Sequence, residues 1–164
     1  MRKIIILSML LSLSLVVCAQ TKRNTQSKTK TTSVSQTERK VLGKHMLALQ
    51  WISWEDFGSC TITKDNKGIL HCKGEQRSKE NGDYLKIDGT IMIVNAKHLK
   101  FNGTISSLVS YLNNGKVYKR NGTFNFKARG QRKYWRLQEM ERSNDVCVDY
   151  VDIFFWWLHM PDLY

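Results

Sequence analysis

Three stretches of this chain repeat one pattern, and the repeat restricts the fold more than any other feature. Ile87-Asp88-Gly89-Thr90-Ile91, Phe101-Asn102-Gly103-Thr104-Ile105 and Arg120-Asn121-Gly122-Thr123-Phe124 all read x-Asp/Asn-Gly-Thr-apolar. Asp-Gly and Asn-Gly ordinarily mark hairpin turns, which would cut each stretch in half. The alternation on either side argues against the cut. Leu85, Ile87, Ile91 and Ile93 share one parity, against Lys86, Asp88 and Thr90. Leu99, Phe101, Ile105 and Val109 do the same against Lys100, Asn102, Thr104 and Ser106. Tyr118, Phe124 and Phe126 do so against Lys119, Asn121, Thr123, Asn125 and Lys127. In each run the apolar face keeps its phase through the glycine, and a period of two is a strand period. The glycines therefore fall at mid-strand on the inward side, where a missing side chain lets a sheet bend. A row of inward glycines on successive strands is what a small closed sheet needs in order to curve. The expected fold is mostly β: an antiparallel meander forming a small barrel or strongly coiled sheet.

Turn-forming clusters place the strand ends. They occur at Asp65-Asn66-Lys67-Gly68, Glu80-Asn81-Gly82-Asp83, Asn95-Ala96-Lys97, Asn113-Asn114-Gly115-Lys116 and Arg129-Gly130-Gln131-Arg132. Their spacing of roughly fifteen residues suits a meander of long strands. The opening segment from Val41 to Trp54 fits a short helix through Leu42, Met46 and Leu49, or a strand with Leu47, Leu49 and Trp51 on one side. The β-rich context favours the strand. Val146 to Phe154 reads as the last strand.

Outside this domain, 41–154, composition assigns three segments. Residues 1–19 read as a signal peptide: Arg2 and Lys3, an apolar run from Ile4 to Val17, and small residues before Gln20. Leu15-Val16-Val17-Cys18 also resembles a lipid-attachment box. Val17 stands there where a smaller residue is wanted, so cleavage after Ala19 is favoured over a lipid anchor at Cys18. Residues 20–40 are rich in Thr, Ser, Gln and Lys, with almost nothing apolar to offset ordering entropy, and read as a disordered basic linker. Residues 155–164 form an aromatic extension, too short to span a membrane. No transmembrane segment is therefore expected once the signal is removed.

The formal charge of +12 divides unevenly along the chain. Lys22, Arg23, Lys28, Lys30, Arg39 and Lys40 face Glu38 alone in the linker, a net +5, and residues 41–164 carry another +5. Less than half of the basicity belongs to the folded part. On an exported chain such a tail fits anionic lipid, polysaccharide or peptidoglycan better than nucleic acid, and a solvated linker is the plainer reading. The domain is expected to be a monomer.

Residues able to carry chemistry are few. Cys60 and Cys72 flank the Asp65–Gly68 turn and are the disulfide candidate, a staple that would contribute about 3 kcal/mol. Register decides it. A turn centred on Asn66 sets the two cysteines opposite, a two-residue turn at Asn66-Lys67 pairs Cys60 with Lys73 on the other face from Cys72, and a three-residue turn ending in Gly68 pairs Cys72 with Ile62 and leaves Cys60 diagonal. His71 and Cys72 are adjacent and so lie on opposite faces, while Cys60, His98 and Cys147 are scattered, so neither a metal nor a cofactor is expected. No Gly-x-Ser-x-Gly elbow is present, and Asp149 and Asp152 fall on opposite faces of a strand, which argues against paired-carboxylate catalysis. Asn102-Gly103-Thr104 and Asn121-Gly122-Thr123 fit a glycosylation sequon, but a mid-strand position makes the match coincidental.

The candidate binding surface is the basic and aromatic run at Arg132, Tyr134 and Arg136. Tyr134 and Arg136 share one face, and could present a stacking and hydrogen-bonding pair to an anion or sugar. Against that stands a cross-strand pair between Arg136 and Asp149 or Asp152. The expected function is a non-enzymatic barrel binding an anionic or sugar ligand, in its interior or on the Tyr134 face. A core filled by Phe101, Phe124, Phe126 and Trp135 would remove the interior version. An inhibitor or envelope protein–protein interaction factor is the alternative.

Leu49-Gln50-Trp51-Ile52, Lys73-Gly74-Glu75-Gln76, Ile87-Asp88-Gly89, Arg132 through Gln138 and Asp149 through Phe154 together resemble a group of small exported bacterial proteins of uncharacterised function. The resemblance covers residues 43–154. It implies export and a single domain, and brings no catalytic residues.

Overall fold

The computed structural model describes residues 36–142 and 147–155; the expected signal peptide, most of the linker and nearly all of the aromatic extension lie outside them. Eight strands follow one another: β1 Gly43–Leu49, β2 Gly58–Lys64, β3 Leu70–Arg77, β4 Tyr84–Asn95, β5 His98–Leu108, β6 Tyr118–Lys127, β7 Tyr134–Leu137 and β8 Val151–Phe154. Each pairs antiparallel with the next, and β8 returns to β1 through Leu47↔Ile153, Ala48↔Asp152 and Leu49↔Val151. The sheet is a closed barrel. Closure leaves no end strand open to pair with another chain.

The three repeats lie within unbroken strands and in one register. Gly89 opposes Gly103, and Gly103 opposes Gly122. The first two glycines meet a packing limit. A Cβ on Gly103 would lie 2.3 Å from the Asp88 carbonyl oxygen and 2.6 Å from the Gly89 Cα. No side chain fits where two backbones approach so closely. Gly122 has open space around it, and its φ of +149° is what favours glycine there.

The apolar parity of every strand points into the barrel. Leu47, Leu49, Ile62, Leu85, Ile87, Leu99, Phe101, Phe126, Trp135, Leu137 and Ile153 are fully buried in one cluster, and Phe124 joins them. Phe101 sets its ring edge-on to Phe126, 6.1 Å between centroids, and lies 6.2 Å from Phe124. Each such side chain stabilises the fold by about 1.5–3 kcal/mol. Phe101, Phe124, Phe126 and Trp135 fill the core, the condition that removes the interior version of the expected ligand site.

Several boundaries differ from expectation. β1 stops at Leu49, because the Ile52 amide turns back to the Leu49 carbonyl (3.0 Å) and lifts Trp51 out of the strand. β8 begins only at Val151, preceded by a lone bridge between Glu141 and Val148. Residues 36–41, mostly within the expected linker, form a helical turn whose Glu38 meets Lys64 of β2 at 2.7 Å.

The disulfide proposal is corrected. Cys60 and Cys72 are both free. The hairpin takes the three-residue turn: Asp65 pairs with Ile69, Gly68 has φ +82°, and Ile62 stands opposite Cys72 while Cys60 stands opposite Gly74. The two thiols are diagonal neighbours in the core. A hydrogen bond with Cys60, together with burial, pushes the Cys72 thiol well above its usual range.

Candidate functional site on the outer wall

Alternation along β7 sends Trp135 and Leu137 into the barrel and leaves Tyr134 and Arg136 outside. β8 likewise turns Val151 and Ile153 inward and Asp152 and Phe154 to the outer side, where Asp152 is itself buried. Register then pairs the two sets: Arg136 faces Asp152 and Tyr134 faces Phe154. The outer wall of β7–β8 is therefore a built array of rings and charges.

Arg136 is its centre. Its Nε and Nη2 donate to the two Asp152 carboxylate oxygens at 2.8 and 2.6 Å, a bidentate fork. Its guanidinium lies 4.2 Å from the Tyr150 ring centroid and 5.1 Å from that of Tyr134. The hydrogen bond to Asp152 raises the Arg136 pKa, while burial pushes the Asp152 carboxyl above its usual range against the pull of Arg136. Arg136 is thus committed to Asp152 and serves to orient the rings. Arg132 is different: it is exposed, with its guanidinium 5.7 Å from the Tyr134 ring. Phe154 extends the aromatic surface, 5.3 Å from Tyr134 and 5.2 Å from Phe57. The three expected residues do come together, but only Arg132 and Tyr134 face outward uncommitted.

Sequence reasoning missed a second constellation, which ties the loops to one end of the barrel. Asp149 accepts from Arg142 Nη1 at 2.9 Å, Trp51 Nε1 at 3.2 Å and Arg120 Nη2 at 3.3 Å. Arg120 has the inward parity of β6, and burial lowers its pKa although Asp149 opposes the shift. Gln76, fully buried, accepts from the Leu49 amide (2.6 Å) and donates to the Ser53 and Asp56 carbonyls (3.1 and 2.9 Å). Gln50 donates to the Val148 carbonyl and accepts from the Tyr150 amide, each at 2.6 Å. At the barrel's interior the His45 ring bridges the carbonyl oxygens of Val41 and Phe154, 2.7 and 2.8 Å away, edge-on to Trp135. The one available signal was polar residues at inward strand parity. His45, Gln76 and Arg120 all carry it.

The five segments that suggested a resemblance supply much of this machinery: Gln50 and Trp51, Gln76, Gly89, Trp135 and Arg136, Asp149 and Asp152. They build and fasten the barrel. Comparison with known proteins agrees on kinship. No solved structure matches the chain. An uncharacterised protein of Pasteurella multocida (strain Pm70), PM1083, is 43% identical over 122 residues, which cover 74% of this chain and 78% of the relative. The model of the PM1083 family matches residues 22–155. The chain belongs to the PM1083 family, a family of uncharacterised proteins.

Proposed function

We propose that this protein is an exported, non-enzymatic β-barrel that binds an anionic or sugar ligand on the outer wall of β7–β8. The observation that carries the reading is the stack of Arg132, Tyr134, Arg136 and Tyr150, with Arg136 locked by Asp152 and Arg132 exposed above the Tyr134 ring. An aromatic face held rigid by a buried ion pair, with an exposed guanidinium beside it, suits stacking plus hydrogen bonding to an oxygen-rich ligand. The filled core directs the search outward. A non-enzymatic role is supported by the carboxylates, since Asp149 and Asp152 are engaged by arginines and Glu75 meets Arg77 and Lys86. Export rests on Arg2, Lys3 and the apolar run that follows, and the family match begins at residue 22, after the expected cleavage point.

The test is titration of the protein with sialyllactose and with its neutral parent lactose, read by tyrosine fluorescence and calorimetry. The reading expects saturable binding of at least one of them, weakened tenfold or more by Arg132→Ala or Tyr134→Ala. Binding by neither, or binding indifferent to both substitutions, contradicts it.

A second reading, an envelope protein partner, is favoured by exposed apolar groups at the loops. Trp54 and Tyr111 are 44% and 64% exposed, and the Tyr111 hydroxyl donates to the Trp51 carbonyl, which holds the two loops together. Co-purification from a native envelope should retain one protein with the parent chain and lose it with Tyr111→Ser.

A further inference from the structure

The repeat that sets the fold has a second consequence, on the outside of the barrel. Because Gly89, Gly103 and Gly122 are in one row, the residues flanking them line up on the outer face of β4–β6. Asp88 opposes Thr104 and Thr104 opposes Asn121; Thr90 opposes Asn102 and Asn102 opposes Thr123. The hydroxyls hold the amides in place. Thr104 Oγ1 donates to Asn121 Oδ1 at 2.6 Å, and Thr123 Oγ1 donates to Asn102 Oδ1 at 3.4 Å. With their oxygens so engaged, both exposed asparagines keep an NH₂ group able to donate.

Charge adds to this. The acids of the region are engaged: Asp88 by Lys73, Glu75 by Arg77 and Lys86, Glu38 by Lys64, and Glu139 by the backbone and side-chain amides of Asn125. Lys100 and Lys119 lie on the same face of β5 and β6, both exposed, and have no carboxylate partner among the described residues. Next to the array lies a cleft of about 700 Å³ whose walls include Thr90, Asn102, Thr123 and Lys100, with Ile69 and Met92 as its apolar side. Ile69 and Met92 are 45% and 57% exposed. That volume lies within the range of small-ligand sites.

We propose that this face and its cleft form a second binding site, for an anionic polysaccharide. Face and cleft together are net cationic, with Lys64, Lys73, Lys100 and Lys119 against Asp88 and Glu38, and the amides add donors, so the surface matches a ligand rich in acceptors, carboxylate and ring or hydroxyl oxygens together. Ile69 and Met92 supply the apolar contact that the C–H face of a sugar ring seeks. A polyanion without sugars would find the lysines but leave the oriented amides and the apolar side unused.

The test is affinity electrophoresis and calorimetry of the protein at physiological salt against polygalacturonate, neutral dextran and polyglutamate. Expected is saturable binding of polygalacturonate only, lowered at least tenfold by the pair Asn102→Ala with Thr123→Val and at least threefold by Lys100→Gln. The outer positions are exposed, so these variants should fold; circular dichroism confirms each before use. Lys116→Gln, which removes an exposed cation outside both walls, should leave polygalacturonate binding unchanged, which separates this site from an effect of overall charge. Failure to bind polygalacturonate, equal binding of polyglutamate, or a loss that follows Arg132→Ala but not the Asn102 and Thr123 pair would each overturn the proposal.

Discussion

The two outer walls of this barrel use their polar residues in opposite ways. On β7–β8 the central cation is consumed internally: Arg136 forks onto Asp152 and is held between two tyrosines. On β4–β6 the Thr104–Asn121 and Thr123–Asn102 pairs bond through their oxygens, and Lys100 and Lys119 are exposed without a carboxylate partner among the described residues. The first wall is rigid and nearly saturated, with a ring surface and one exposed arginine remaining. The second has a larger unsatisfied capacity. Abundance of charge in sequence therefore says little about availability, because register decides which charges neutralise each other.

The comparison breaks most severely at the glycine row. Gly103→Val should prevent folding, since its side chain would strike the Asp88 carbonyl and the Gly89 backbone; overpacking of side chains alone costs about 1–3 kcal/mol, and backbone cannot move aside as they do. Gly122→Ala, with open space but positive φ, should cost only about 1–2 kcal/mol. Urea denaturation measures both. If the two variants were equally mild, β4 and β5 would not approach as described.

Next in size is the loop lock. Asp149→Ala removes the carboxylate shared by Arg120 and Arg142 and should destabilise by about 3–5 kcal/mol, because both guanidinium groups lose the buried anion they share. The denaturation midpoint reports it. Near-neutral behaviour would place residues 138–142 and 147–150 off the barrel end.

A smaller effect sharpens the account of the β7–β8 wall. Burial raises the Asp152 pKa above the ordinary 3.8. Between that ordinary value and the raised one, the folded state binds more protons than the unfolded state, so this group's contribution makes stability fall as pH rises through the window. Comparing stability across that acid range, Asp152→Asn should abolish that part of the slope. A parent and variant with parallel profiles would contradict the burial of this carboxyl.

The smallest expected effect is that of a reductant. With Cys60 and Cys72 free, dithiothreitol should shift the unfolding free energy by less than about 0.5 kcal/mol, against about 3 for a staple of that loop size. A shift near the larger figure would show the cysteines joined.

How much of this was legible in the sequence follows from what kind of pattern each feature leaves. The glycine row and its strands were readable, because a period of two survives through each glycine and local pattern is enough. The Cys60–Cys72 pairing was not, since three turn geometries fit the same residues and only the αL conformation at Gly68 selects one. The ends of β1 and β8 were overestimated because apolar residues such as Trp51 continue past the last ladder bond. At the β7–β8 wall the partners were visible, Arg136 with Asp152 among them, but the choice between ion pair and ligand contact required the closure of β8 onto β1 and β7. Gln76 and His45 went unread as buried groups and Arg120 as a half-buried one, because nothing local announces a polar side chain that finds its partners up to 109 residues away.

The account rests on strands running unbroken through the glycines into a closed ring. Nuclear Overhauser contacts in the isotopically labelled protein test it directly. The account predicts cross-strand contacts of Gly103 with both Gly89 and Gly122, and of Leu47 with Ile153 across the β1–β8 seam. Contacts across the glycine row without the seam would mean an open sheet, and loss of the glycine contacts would mean that the repeats turn the chain; either result contradicts it.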